Sequence, residues 1–222
     1  MSNFFLKDFN PSVKLVDIQE KPFENGQQIL REIFYHLGIK DIEKVNKAVQ
    51  LFTPAIYKKG QSYLREGETA DRIGFIIKGA VEILLGEKDK QQVLFFLTEE
   101  DFFADLKSFL HQQPSKLTIC FAELTFALEI AHKDFRQFVI EHPEFGNMFM
   151  QIMSSVTAAV TKLNITLKLP TKNRYEKLMK LQPQLFNRFL LQDIASYLGV
   201  KQETLSRIRS QLKNDAAKTT NG

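Results

Sequence analysis

Residues 190–213, LLQDIASYLGVKQETLSRIRSQLK, constrain the fold more strongly than any other part of this chain. Their apolar residues recur in steps of three and four on both sides of Gly199, which is the spacing of two helices joined by one turn. Glycine permits a positive φ at the turn, and the small Ala195 lets two steeply crossing helices approach closely. The wedge between the helices would be filled by Ile194, Leu198, Val200, Leu205 and Ile208. The segment therefore predicts a helix-turn-helix.

The second helix of such a motif can lie in the major groove of DNA. Its outward face carries side chains able to contact base edges or phosphate, namely Lys201, Gln202, Glu203, Ser206, Arg207 and Arg209. An ordinary helical hairpin with a solvated polar face is the alternative. Because the small residue, the glycine and the apolar positions all fit the motif, we favour double-stranded DNA as the partner.

Charge is distributed unevenly along the chain, whose overall net charge is +4. Residues 171–222 contain ten Lys or Arg against four Asp or Glu, a net charge of +6. Residues 1–170 contain 20 basic and 22 acidic side chains, a net charge of −2. Solvated lysines are the alternative explanation of any basic segment. Here the positive charge coincides with the helix-turn-helix, where release of counterions from DNA would supply affinity.

Composition narrows the remaining classes of function. The apolar fraction of 44% suits a globular protein, and no apolar run approaches the length of a membrane span. The lone Cys120 excludes a disulfide framework within the chain and favours a reducing, cytoplasmic location. The four histidines lack metal-ligand spacing, and no phosphate loop or catalytic constellation is present, so we predict no metal site, no catalytic residues and no enzyme.

Between about residues 52 and 129, short apolar runs alternate with turn signals. The runs 75–77, 81–85, 93–97 and 117–122 predict strands, and the bends are expected at Gly60, Gly67, Gly79 and Gly86. Short strands at this spacing indicate an antiparallel sandwich or barrel. A short amphipathic helix is predicted in AHKDFRQFVIEHP, which follows directly. Before this region, residues 29–51 predict one or two short helices around Gly38.

A long helix is predicted between Pro143 and Pro170. A heptad seam recurs along it at Phe145, Phe149, Ile152, Val156, Ala159 and Leu163. The seam could pack on its own domain, but a homodimer is favoured because dimeric DNA-binding proteins match paired half-sites. The sequence Leu169-Pro170-Thr171 is expected to end the helix and form a hinge.

This order of parts resembles the Crp–Fnr transcription regulators, especially those of the Bacteroidetes. The resemblance covers roughly residues 31–213 and is carried by REGETADRIGFIIKGAVEILL, EDFFADLKSFL and IASYLGVKQETLSRIRSQL. It implies a cyclic-nucleotide-binding-like β-roll, a dimerisation helix, DNA binding and RNA polymerase as a further partner. The positions that contact DNA in the family fall on Gln202, Glu203 and Arg207. The first is commonly arginine in cyclic-AMP-responsive members, so Gln202 implies a different target sequence.

The effector pocket of this family binds cyclic nucleotide through a Gly-Glu-Leu tripeptide, the first step of the site, and a downstream arginine. The glutamate holds the ribose hydroxyl, while the arginine and a helix N-terminus hold the phosphate. Here the step is Ala104-Asp105-Leu106, and the arginine position holds Ser115, followed by Lys116. Aspartate is shorter than glutamate, and lysine lacks the planar fork of arginine. We therefore expect no cyclic nucleotide bound in the family manner and predict no other cofactor.

Two alternatives remain for this pocket: a roll without ligand that serves as a dimer scaffold, and a small anion held by Lys116. Neighbouring strand residues face opposite sides of a sheet. We therefore expect the apolar Leu117 to face the interior of the roll and Lys116 to face solvent.

The sequence thus predicts an α+β fold with an extension over 1–30, an antiparallel β-roll domain over 31–141, a dimerisation helix over 142–169 and a helix-turn-helix domain over 170–222. Family members usually add a β-hairpin wing after the recognition helix, whereas this chain ends in the polar NDAAKTTNG, expected to be frayed. We favour a homodimeric, sequence-specific transcription regulator. A ligand-sensing or protein-interaction module without DNA binding is the alternative.

Overall fold

The computed structural model describes residues 21–86 and 91–220. The strands in these ranges are β1 Thr53–Tyr57, β2 Ser62–Leu64, β3 Arg72–Lys78, β4 Val81–Leu85, β5 Gln92–Leu97, β6 Phe102–Phe103, β7 Leu117–Phe121 and β8 Thr125–Ala131. The helices are α1 Pro22–His36, α2 Ile42–Gln50, α3 Leu106–His111, α4 His132–Glu141, α5 Pro143–Leu167, α6 Thr171–Leu181, α7 Leu185–Arg188, α8 Leu191–Tyr197 and α9 Gln202–Thr220.

The strands form two antiparallel four-stranded sheets in the orders β1-β8-β3-β6 and β2-β7-β4-β5. The four apolar runs predicted as strands fall in β3, β4, β5 and β7, and all four predicted bend glycines have a positive φ. Both sheets contribute to one apolar core, which is rich in phenylalanine. Strand β5 is an edge of the second sheet, and it lies on the side that faces the C-terminal helices.

Helix α1 corrects the prediction of an N-terminal extension over residues 1–30. It begins at Pro22, and it buries Ile29 and Leu30 in the core of the roll. Proline at the first position starts a helix rather than breaking one. Gly26 is not a turn residue, because a Cβ at this position would lie 2.6 Å from Ile77 and would hold the helix away from β3. The part of that prediction covering residues 1–20 lies outside the described residues.

Helix α5 spans 25 residues, and its beginning at Pro143 agrees with the sequence prediction. Its first half packs on the roll of its own chain, where Phe145, Met148 and Ile152 are buried. The predicted two-helix seam is therefore corrected at Phe145 and Ile152, which have little surface left for a partner helix. Periodicity alone could not distinguish packing on the roll of the same chain from packing on a partner helix, because both place apolar residues on one helix face.

Helix α5 ends at Leu167 and α6 begins at Thr171, directly after Pro170, so the predicted end of the long helix is confirmed. The hinge at this point stays a prediction. Helix α9 continues to Thr220, so the polar tail is helical rather than frayed over the residues described. Through residue 220 no strand follows α9. No helix in the described ranges is long and apolar enough to cross a membrane.

Candidate DNA-binding and effector sites

Helices α8 and α9 form the predicted helix-turn-helix. The turn passes through Gly199, whose φ of +67° lies in the left-handed region that favours glycine. The backbone N–H of Val200 closes the turn by donating to the carbonyl of Ala195 at 3.0 Å. Of the side chains predicted to fill the wedge, Val200 is half-buried and the others are buried, namely Ile194, Leu198, Leu205 and Ile208. The two helices therefore have a fixed mutual orientation.

The polar face of α9 points away from this wedge. Five predicted DNA-contacting residues are exposed there: Lys201, Gln202, Glu203, Ser206 and Arg207. Arg209 differs, because it is half-buried and lies beside the buried Ile208. The exposed group occupies the first two turns of the helix, which is the part that contacts base edges in a major groove.

Arg174, which the sequence analysis did not single out, fixes the turn from the side of α6. Its Nη1 donates to the carbonyl of Leu198 at 2.5 Å, and its Nη2 donates to Thr171 Oγ1 at 2.9 Å. Leu198 ends α8, so its carbonyl has no partner within the helix and carries the negative end of the helix dipole. The guanidinium thus links the hinge, α6 and the turn of the motif.

A contact between the roll and the helix-turn-helix domain was also absent from the sequence analysis. Arg188, at the end of α7, binds both carboxylate oxygens of Glu99 at 2.7 and 2.8 Å and one oxygen of Glu123 at 2.5 Å. Glu99 also accepts from the N–H of Gly79 at 3.0 Å. Burial tends to raise the pKa of Glu99, but Arg188 and the Gly79 N–H more than offset it and hold that pKa below its ordinary value.

Aromatic packing and a hydrogen bond add to the contact that this ion pair makes between the two domains. The ring of Phe96 on β5 packs on Phe189 and Tyr197, with centroid separations of 4.2 and 5.2 Å. The backbone N–H of Val93, at the edge of the sheet, donates to Ser196 Oγ at 3.0 Å. Helix α8 therefore covers the edge of β5. Edge strands have unpaired backbone groups, which proteins generally protect.

Glu82 lies on the same face of the sheet, directly opposite Phe96 on the neighbouring strand. Burial raises its pKa to about 7, Asp193 of α8 adds to the rise, and Lys59 opposes it. Burial likewise raises the pKa of Asp193. Two carboxyl groups with raised pKa values thus lie where the roll meets the helix-turn-helix domain.

The polar side chains of the candidate effector pocket are hydrogen-bonded to other groups of the protein. Asp105 Oδ1 caps α3 by accepting from the N–H groups of Lys107 and Ser108 at 3.1 and 3.2 Å. Its Oδ2 accepts from Ser115 Oγ at 2.7 Å, and this hydroxyl also accepts from the N–H of Leu117 at 2.9 Å. The carboxyl of Asp105 is therefore used inside the protein, and it stands at the helix N-terminus where the family holds a phosphate.

The neighbouring strand residues follow the expected alternation. Lys116 is exposed, whereas Leu117 lines an apolar cavity of about 190 Å³ beside Ala104, Asp105 and Leu106. The structure thus brings the predicted pocket residues together, except for Lys116, which points away. A cyclic phosphate would meet a carboxylate here and no arginine, so these residues do not fit a cyclic nucleotide.

The second half of α5 carries the rest of the predicted seam. Val156 and Ala159 are half-exposed and border the cavity, and Leu163 is half-exposed beside the core of the helix-turn-helix domain. Phe149, nearer the start of the helix, is half-buried against the core of the roll.

Cys120 is half-buried, and burial raises the pKa of its thiol, which disfavours the reactive thiolate. Within the described ranges, no group of three or more His, Cys, Asp or Glu is arranged to hold a metal ion.

Comparison with known proteins agrees with this arrangement. Residues 55–142 match the family model described as the cyclic nucleotide-binding domain. The chain is 24% identical over 179 residues to the cAMP-activated global transcriptional regulator CRP of Salmonella typhimurium, covering 71% of this chain and 81% of that protein. With a domain match over part of the chain and 24% identity to CRP, the chain is similar to regulators of the Crp–Fnr type.

Solved structures support the fold of this chain. The c-di-GMP responsive global regulator CLP of Xanthomonas campestris superposes with a TM-score of 0.63 at 17% identity, over 79% of this chain and 93% of that one. A mutant of CooA from Carboxydothermus hydrogenoformans superposes with a TM-score of 0.60 at 18% identity, over 76% and 79% of the two chains. The matched domain model ends at residue 142, directly before α5.

Proposed function

We propose that this chain is a sequence-specific DNA-binding transcription regulator that acts as a homodimer in the cytoplasm. The observation that carries the proposal is the exposed polar face at the start of α9, presented on a buried apolar wedge. Gln202 and Arg207 have the groups that form paired hydrogen bonds with adenine and guanine edges. The similarity to the global transcriptional regulator CRP supports the same class of function.

Electrostatics supports DNA as the partner. Residues 171–222 carry a net charge of +6, whereas the rest of the chain carries a net charge of −2. Lys201 stands at the entry to α9, where a cation can contact a phosphate without selecting a base. The proposed affinity rests on this helix, on its basic flanks and on the second subunit.

The homodimer is supported by the apolar face of α5 beyond the roll. Val156, Val160 and Leu163 lie on that face and stay half-exposed in the single chain. A helix of 25 residues with an uncovered apolar stripe gains stability when a second copy covers it. Two copies would present two recognition helices to paired half-sites. RNA polymerase is proposed as a further partner, as the family resemblance implies.

Selection from a pool of random DNA duplexes tests the proposal directly. The purified chain should enrich one motif with two half-sites, and its affinity for the selected duplex should fall steeply as salt is raised. If no motif is enriched and binding to duplexes is weak at low salt, the chain is a ligand-sensing or protein-interaction module instead. The apolar cavity of the roll favours that second candidate.

A further inference from the structure

We propose that docking of the helix-turn-helix domain on the β-roll depends on one proton, which is held by the carboxyl pair of Glu82 in the roll and Asp193 in α8. The two domains meet where α8 lies along β5, a surface that we call the roll–α8 contact. While the carboxyl pair holds this proton, the contact stays closed. When both carboxyls are ionised, their repulsion and the cost of keeping two charges out of water weaken the contact.

Glu82 stands on the side of the sheet that faces α8. It lies directly opposite Phe96 on β5, and Phe96 packs on Tyr197 of α8 with a centroid separation of 5.2 Å. Leu84, two residues along β4, shares this face of the sheet and packs against the apolar core of the helix-turn-helix domain. Glu82 is thus a half-buried carboxyl among the apolar side chains of the roll–α8 contact.

Asp193 stands on the side of α8 that faces the sheet. Residues three and four apart share one face of a helix, so Asp193 lies in line with Ser196 and Tyr197. Both of those residues contact the roll: Ser196 Oγ accepts from the N–H of Val93 at 3.0 Å, and Tyr197 packs on β5. The carboxyl of Asp193 is half-buried at the same contact, and its charge acts on Glu82.

Of the two carboxyls, Glu82 keeps its proton to the higher pH. Burial raises the pKa of Glu82 from 4.5 to about 7, and the charge of Asp193 adds to the rise. Burial raises the pKa of Asp193 as well, but this group starts from an ordinary value of 3.8. Hydrogen bonds from Gln192 and from the backbone of Leu190 also favour its ionised form. Asp193 therefore ionises first as pH rises, and Glu82 then loses the last proton of the pair.

The other titratable groups around Glu82 do not change charge near neutral pH. Burial raises the pKa of Cys120, which lies directly opposite Glu82 on β7, above its ordinary 9.0. Burial likewise raises the pKa of Tyr197 on α8 to about 12. Lys59, in the turn between β1 and β2, lowers the pKa of Glu82 and so opposes the effect of Asp193.

Groups farther along the boundary between the domains do not supply this proton either. Burial tends to raise the pKa of Glu99, but Arg188 holds it below its ordinary value, so this ion pair keeps its charges at neutral pH. Arg188 also binds Glu123. Histidine is the side chain that ordinarily titrates near neutral pH. The four histidines lie in other elements, namely His36 in α1, His111 in α3, His132 in α4 and His142 directly before α5.

A proton at this contact affects the orientation of the recognition helix. The buried wedge fixes α8 and α9 relative to each other, so α9 moves with α8 when the roll–α8 contact opens. In a dimer, release of α8 from the roll changes how the two recognition helices are placed relative to paired half-sites. This consequence for DNA binding rests on the proposed function, whereas the proton-dependent docking does not.

Hydrogen exchange of the Val93 amide, followed by NMR in the full chain without DNA, tests the proposal. This N–H donates to Ser196 Oγ across the contact, so its protection relative to the intrinsic exchange rate at each pH reports docking. We expect its protection factor to fall at least about tenfold between about pH 5.5 and about pH 8, because the docked state binds the additional proton. The amide of Ile76, which donates to the carbonyl of Asp101 within the roll, should be more strongly protected than Val93 at both pH values.

Three variants assign the effect to the carboxyl pair. Glu82→Gln replaces the proton-binding group by a neutral amide of the same shape, so its Val93 protection factor should change less than about twofold between the two pH values. Asp193→Asn removes the neighbouring charge, and its Val93 protection at the higher pH should exceed that of the wild type. Glu66→Gln, at an exposed position before β3, is the matched control and should follow the wild type.

Three results would overturn the proposal. They are equal Val93 protection at both pH values in the wild type, the full wild-type decline in Glu82→Gln, and equal protection of Val93 and Ile76, which would mean that the contact opens only when the roll unfolds. If Glu82→Gln does not fold, Asp193→Asn replaces it, and an unchanged pH dependence in that variant is equally decisive. A chain that selects no DNA duplex but shows the expected Val93 protection would refute the proposed function alone and leave the proton-dependent docking standing.

Discussion

The guanidinium of Arg188 binds both carboxylate oxygens of Glu99 across the boundary between the helix-turn-helix domain and the roll, at 2.7 and 2.8 Å. The two residues are 89 positions apart in the sequence. Paired hydrogen bonds between an arginine and a carboxylate fix geometry as well as supplying energy. Together with the packing of Phe96 on Phe189, they hold the helix-turn-helix domain against the roll.

Removing this arginine should weaken the contact between the domains. Arg188→Ala leaves the carboxylates of Glu99 and Glu123 without their cation, and the Glu99 side chain is only 18% exposed. We expect a loss of about 2–3 kcal/mol in the free energy of unfolding, measured by urea denaturation. Arg136→Ala, at an exposed position on α4, is the control and should change stability by less than about 0.5 kcal/mol. Equal stabilities of the two variants would contradict the role of Arg188.

The half-buried Glu82 should make stability depend on pH. Its pKa is raised from an ordinary 4.5 to about 7, so the folded state binds more protons than the unfolded state between these values. The free energy of unfolding should therefore fall as pH rises from about 5 to about 7 and then stay low. Glu82→Gln stays neutral, and its melting temperature should decline less over this range.

The control for this experiment is Glu66→Gln, at an exposed position before β3. Its melting temperature should follow the wild-type pH dependence. A Glu82→Gln protein with the full wild-type decline would assign the pH dependence to other groups.

Loss of Arg174 should loosen the turn between α8 and α9. Arg174→Ala leaves the carbonyl of Leu198 without its donor, which costs about 1–3 kcal/mol. The amides of Gly199 and Val200, whose hydrogen bonds close the turn, should then exchange with solvent faster. Lys180→Ala, exposed on the same helix, should leave these exchange rates unchanged. Identical exchange in both variants would show that the turn does not depend on Arg174.

A charge on the apolar face of α5 should prevent association of two chains. Val156→Asp places a carboxylate where the proposed partner helix packs, at a cost of several kcal/mol to association. Sedimentation should show dimer for the wild type and monomer for this variant. Ala158→Asp, on the exposed side of the helix, should remain dimeric. A wild-type chain that is monomeric at micromolar concentration would refute the homodimer.

Local patterns predicted the parts of the fold that depend on neighbouring residues. The steps of three and four around Gly199 predicted both helices of the motif, and the apolar runs predicted β3, β4, β5 and β7. Strands β1, β2 and β6 were not predicted, because they are short and expose or half-bury much of their length. Helix α1 was not predicted, because residues 1–30 are expected from the sequence to form an extension, whereas the helix begins at Pro22.

The contacts that hold the candidate sites together could not be predicted from local patterns. Arg174 meets Leu198 across 24 residues, and Arg188 meets Glu99 across 89. Nothing in the immediate sequence of these arginines distinguishes them from solvated ones. The alternation of strand residues did predict Lys116 outside and Leu117 inside, since that rule needs only the strand.

The affinity of Arg207→Ala for the selected duplex tests whether α9 contacts DNA bases. Fluorescence anisotropy should show a loss of about 1–3 kcal/mol in binding free energy, with weaker discrimination at one base pair of each half-site. Lys201→Ala should weaken binding to all duplexes about equally and flatten the salt dependence. Arg136→Ala, remote from α9, should bind as the wild type does. If Arg207→Ala binds the selected duplex with wild-type affinity and specificity, Arg207 does not contact bases and the proposed reading face of α9 is wrong.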